Sequence, residues 1–258
     1  MDGIRIFVHA VRMVLGNLET ALRIAGALLI VQLALTLMAG DGYFMSEPMQ
    51  QPMMYGMQGS FLAFVLGVLQ ILFGLWIAVA WHRFILLEET PGAYLPAWNG
   101  VAIWAYFKAG VLLAFVVIIA VIPMMLIAGL VLFPFVAVNP AEPSLFVGLL
   151  GFLIMYLPAA YLAYRLSPIL PSAAIGEKIG LKDAWVETSP SGMSFVALTV
   201  VSVVAGWLIF LPAMLLAGHV LTLALIWSAV AQWLTVLVGA SILTTIYGHY
   251  VQKRDLNA

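Results

Sequence analysis

The chain has 258 residues, of which 65% are hydrophobic and 8% charged, with a mean hydropathy of +1.13. Its 10 basic and 11 acidic residues are too few to coat a soluble domain, where about a quarter of residues are charged, and their near balance provides no field for nucleic acid or another polyanion. There is no cysteine, which excludes disulfides, thiolate metal sites and thiol nucleophiles.

The first element predicted is an amphipathic helix. Ile4, Phe7, Val11, Val14 and Leu15 share one helical face that Arg5, Arg12 and Asn17 avoid, the pattern of a helix lying in the plane of a membrane interface. Positive charge before an apolar run also suits a signal peptide, but no A-x-A site follows, so the run reads as a retained span. About 20 apolar residues cross roughly 30 Å of hydrocarbon, and six such runs follow in order, at 21–39, 61–81, 108–133, 145–164, 194–217 and 221–247. They are apolar on every side rather than alternating, which argues against a barrel. The expected fold class is therefore all-α, a polytopic membrane bundle of six transmembrane helices with amphipathic interfacial helices on the cytoplasmic side.

The first outer loop is rich in methionine, with Met45, Met49, Met53, Met54 and Met57 between Gly42 and Ser60. Thioethers are soft ligands that suit Cu(I), and Met49, Met53, Met54 and Met57 could gather three sulfurs. The competing reading is an adaptable apolar surface for lipid or a partner, since no His or Cys accompanies the cluster. Semi-apolar segments recur before the third span, at Tyr94, Leu95, Trp98 and Trp104, and before the fifth, at Leu181, Ala184 and Trp185. An arginine closes each even span and an Ala-Trp pair opens the next unit. The single membrane domain 1–258 thus divides into three helical-hairpin units, 1–81, 82–164 and 165–258, unless Trp and Arg are simply marking interfaces.

All ten basic residues fall on one side of these spans, and the opposite loops hold only Asp41, Glu47 and Glu142. Lysine and arginine resist translocation, so both termini are expected in the cytoplasm and the chain in a bacterial inner membrane. Arg12, Arg83, Arg165, Trp98 and Trp185 are the candidate headgroup or interfacial anchors. Arg83-Phe84 with Leu86-Leu87-Glu88, and Arg165-Leu166-Ser167 with Leu170-Pro171 through Gly176 to Ala184-Trp185, resemble a broad group of bacterial polytopic proteins. That group includes the YciC-like family and the membrane domain fused to some glycerophosphodiester phosphodiesterases. The resemblance implies membrane location and six spans, and no catalytic residues. The soluble phosphodiesterase domain of the fusions has no counterpart here.

No ionisable residue sits at a span centre, which removes the usual signature of an ion-coupled pump. Gln32, Gln70 and Gln232 lie near the middle of spans one, two and six, and Ser228, Gln232, Thr235 and Gly239 share a face of span six. Carboxamides are expected to face protein rather than lipid, so these residues should line the bundle interior and the three glutamines should converge. Pro123, Pro158 and Pro212 each remove one hydrogen bond from a span. Neither the four histidines nor any glycine or serine pattern forms a known catalytic or metal motif, and no cofactor is implied.

The reading is a non-catalytic integral membrane protein with an accessory, scaffold or membrane-homeostasis role. Its partners would be membrane lipids and a membrane protein complex, with no nucleic acid. The alternatives are a transporter or carrier of a lipid or other amphiphile, copper handling by the Met-rich loop, and a lipid-acting enzyme using His82, Glu88 or Glu89.

Overall fold

The structure is a computed structural model that describes residues 2–38, 57–92, 95–138, 144–189 and 192–256, and their side chains except at 32, 33, 35–38, 57–63, 137 and 138. Met49, Met53 and Met54 lie outside the described residues. Met57 opens a helix, and its side chain lies outside them as well.

Among the described residues all regular structure is helical. In chain order the helices are α1 (Asp2–Gly16), α2 (Leu18–Met38), α3 (Met57–Leu87), α4 (Gly100–Val138), α5 (Leu145–Gly151) and α6 (Leu157–Leu166). Then come α7 (Ile169–Ile175), α8 (Leu181–Glu187), α9 (Gly192–Ala217) and α10 (Leu221–Ile246). A π-helical turn, Phe152–Tyr156, joins α5 to α6, and another, Tyr247–Val251, follows α10. Among the described residues five stretches are long and apolar enough to cross a membrane, and the count reaches six if α1 and α2, bent by 81° to one another, are taken as one broken span. The protein is an all-α, multi-pass membrane bundle.

Local chemistry sets several boundaries. The α1–α2 bend falls at Asn17, whose side-chain amide donates to the Met13 carbonyl (2.8 Å) and whose own carbonyl accepts from Ala21 N–H (2.8 Å). The carboxamide thus satisfies a carbonyl that the break would otherwise leave bare. α3 ends at Glu88, a non-glycine residue at φ 57°. The segment after it, expected to be a short interfacial helix, is irregular through residues 95–99. Pro91 and Pro96 remove N–H donors there, and the helix starts only where Asn99 Oδ1 caps Ala102 N–H (3.0 Å). Trp104 therefore belongs to α4, while the interfacial elements before the first and fifth spans are helical as expected.

Three apolar clusters hold the bundle. One joins α1, α2, α3 and α10 around Val14, Ile24, Trp81 and Leu237. A second joins α3, α4, α7 and α8 around Val79, Ile103, Ala174 and Ala184. The third joins α1, α9 and α10 around Ile6, Ala10, Phe195, Leu198 and Ile246. In that third cluster α1 comes very close to α9. A Cβ at Gly3 would lie 2.0 Å from the Ser194 carbonyl oxygen, so only glycine permits the contact. α1 is thereby drawn onto protein along a face made of Gly3, Ile6, Ala10 and Val14.

Candidate functional site: a lateral groove covered by α1

Of the face of α1 predicted to lie in lipid, Phe7, Val11, Val14 and Leu15 line a groove of about 420 Å³. That volume is within the roughly 300–1,000 Å³ usual for small-molecule sites. α9 contributes Ser202, Ala205, Gly206 and Ile209, and α10 contributes Thr235, Val238 and Gly239. Gly206 and Gly239 create the space, since a Cβ at either position would meet no atom within 4 Å. None of the lining residues is charged.

The fourth span supplies two of the groove's hydroxyls, those of Tyr156 and Tyr164. Pro158 has no N–H to donate, and just before it Leu157 N–H reaches back five residues to the Phe152 carbonyl. The resulting π-helical turn, a feature often found at functional sites, carries Tyr156. This residue is 52% exposed, stacks on Phe152 and lines the groove. Its hydroxyl makes no hydrogen bond among the described residues. One helical stretch further on, Tyr164 Oη donates to Ser202 Oγ (3.3 Å) and ties α6 to α9 along the same wall. Thr235 is exposed on the groove and donates to the Ala231 carbonyl (2.8 Å), which leaves its oxygen lone pairs available.

The expected polar stripe on α10 is therefore divided. Thr235 and Gly239 face the groove, whereas Gln232 lines a separate cavity of about 110 Å³ with Gln70, Leu29, Gly74 and Trp233. Two of the three glutamines thus border one cavity, although Gln70 is exposed rather than enclosed in the bundle interior as expected. Gln32 sits one turn beyond Leu29 on α2, and its side chain is outside the described residues. Ser228 is half-buried higher on α10 and lines neither space. The cavity is roomy and polar enough for water, which needs about 10–15 Å³ per molecule.

The anchors separate just as clearly. Arg12 is exposed and Trp98 is 61% exposed, packing edge-on against Trp76 at 5.0 Å. Trp98 also borders a second, almost wholly apolar groove of about 450 Å³ between α3 and α4. Arg165, in contrast, is only 4% exposed. Its guanidinium donates to Thr188 Oγ1 (3.1 Å), Tyr161 Oη (3.0 Å) and the Trp185 carbonyl (2.6 Å), and Trp185 covers it with its ring at 3.8 Å. Arg165 and Trp185 consequently pin α6 to α8, and Arg165 is too enclosed to reach a headgroup. Arg83 is also committed, to the Glu89 carboxylate and the Ala174 carbonyl (3.0 Å). Its reach is inward because the chain turns back at Glu88.

The groups of the enzyme reading do not converge. Glu89 is held by Arg83. His82 is fully buried between Thr244 Oγ1 (2.8 Å) and Tyr106 Oη (3.3 Å). Because Thr244 gives its hydrogen to the Ala240 carbonyl, His82 Nδ1 is the donor and Nε2 accepts from Tyr106. This network ties α3, α4 and α10 together. Next to it Trp81 Nε1 donates to Ser241 Oγ (2.8 Å).

Sequence reasoning did not single out Tyr156, Tyr164, Ser202 or Gly206. The available signal was Pro158 with tyrosines on either side of it, in a span otherwise poor in polar groups. No family model, curated protein or solved structure matches this chain.

Proposed function

We propose that this protein is a non-catalytic integral membrane protein that binds an amphiphile drawn from the bilayer, as a carrier or a membrane-homeostasis factor. The observation that carries the reading is the groove beneath α1. It combines an apolar, uncharged lining with a free hydroxyl on a helical irregularity, and glycines keep it empty of side chains. A scaffold whose only task was to fill space in the membrane would have no need for such a recess. The positive-inside rule supports placing the basic end and both termini in the cytoplasm, and the composition suits a bacterial cytoplasmic membrane.

The test is to fill the groove without disturbing the fold. A leucine at Gly239→Leu projects into open space, so the variant is expected to insert and to melt within a few degrees of the parent. It should also lose the lipid that the parent retains through gentle purification, as read by native mass spectrometry. Equal retention by parent and variant would remove the groove from consideration and return the accessory-subunit reading to first place.

A further inference from the structure

The chemistry of the groove narrows its occupant, and the inference rests on the amphiphile-binding reading just given. Two of the groove's polar atoms, the hydroxyls of Tyr156 and Thr235, lie near the middle of their membrane-crossing stretches, Leu145–Leu166 and Leu221–Ile246. An ionised headgroup drawn to that depth would leave its hydration without a counter-charge, because no lysine, arginine, histidine or carboxylate lines the groove. An oxygen with no formal charge faces no such cost and gains a hydrogen bond. Tyr156 offers a donor with no partner among the described residues, while Thr235 has already given its hydrogen to Ala231 and offers only an acceptor. Tyr164 has likewise given its hydrogen to Ser202. A carbonyl oxygen on the ligand would accept from Tyr156, with its apolar part against the aliphatic and aromatic lining.

We propose that the groove takes an uncharged amphiphile with a carbonyl-bearing head, of the quinone kind, gripped by the Tyr156 hydroxyl at mid-membrane depth. A phospholipid or fatty acid with an anionic head is the occupant that this arrangement rejects.

The experiment measures equilibrium binding to the full chain in nanodiscs with two probes, decylubiquinone and lysophosphatidylglycerol, for the parent, Tyr156→Phe and Gly239→Leu. Saturable decylubiquinone binding is expected in the parent, weakened roughly three- to tenfold by Tyr156→Phe, the scale of one neutral hydrogen bond, and abolished by Gly239→Leu. Tyr156→Phe keeps the ring and its stacking on Phe152, so a folding defect would not mimic this pattern. Unchanged decylubiquinone affinity in Tyr156→Phe overturns the proposal. So does lysophosphatidylglycerol binding as tightly as decylubiquinone and being lost in Gly239→Leu, although the amphiphile reading then survives. Saturable binding of neither probe brings down both.

Discussion

The two ends of the bundle are built differently. At the basic end, Trp81, His82, Arg165, Thr188 and Ser241 are buried and hydrogen-bonded, and all three apolar clusters converge there. At the other end the helices expose apolar side chains almost all round. Along α4, Ile119, Ile122, Leu126, Leu130 and Phe133 are each more than half exposed, and among the described side chains of that half only Ala128 is buried. Lipid tails are as apolar as leucine, so apolar area drives no association between helices within the bilayer. Helices close on one another where polar groups need partners or where small residues admit a backbone, and this chain keeps most such groups at one end. The groove lies where the closed end gives way to the open one, which is where a bilayer molecule can enter while protein still shapes the site.

Substitutions at three positions test that division, and the largest effect belongs to Arg165. Arg165→Ala removes three hydrogen bonds and the stacked cation from α6 and α8 at once, and is expected to cost about 3 kcal/mol of stability in bicelles. Arg165→Lys should recover only part of this, since an ammonium lacks the planar fork. Full recovery by lysine would mean that charge alone matters. Gly3→Val comes next, at roughly 1–3 kcal/mol from overpacking against the Ser194 carbonyl. Here the expected signature is local, with faster amide exchange in α1 but not in α4. If α4 loosened equally, α1 would be part of the central support rather than a cover. The smallest effect is expected from Leu130→Ala at the open end, about 0.5 kcal/mol or less. A cost comparable to a buried core truncation there would show that something other than lipid covers that face of α4.

The C-terminal tail helps to hold α1 in place. His9 Nδ1 donates to the Leu256 carbonyl (3.1 Å), so the C-terminal tail fastens the middle of α1. Lys253 pairs with Glu187 (2.7 Å) on α8, but both side chains are substantially exposed and the pair contributes little.

Most of the helices were legible in the sequence because hydrocarbon imposes a length and a composition that single residues reveal. The runs 108–133, 194–217 and 221–247 are read directly, and each lies within or nearly within one observed helix. The segment from Tyr94 to Trp98 was misleading, since its apolar spacing is helical while Pro91 and Pro96 remove the donors a helix would need. Arg83 and Arg165 have the same place at the end of an even span, and nothing in the sequence says that one meets Glu89 and the other enters a pocket of Thr188, Tyr161 and Trp185.

The sequence by itself determined that the chain belongs in a membrane, how many times it can cross and where its basic groups gather, because transfer of side chains between water and hydrocarbon depends on local composition. Only the tertiary structure decided which face of α1 meets protein, which wall Tyr156 joins from within the π-helical turn, and that Gln232 and Thr235 serve different spaces. Those outcomes depend on helix rotation and close approach between segments far apart in the chain, and a uniformly apolar helix carries almost no periodic signal of its own orientation.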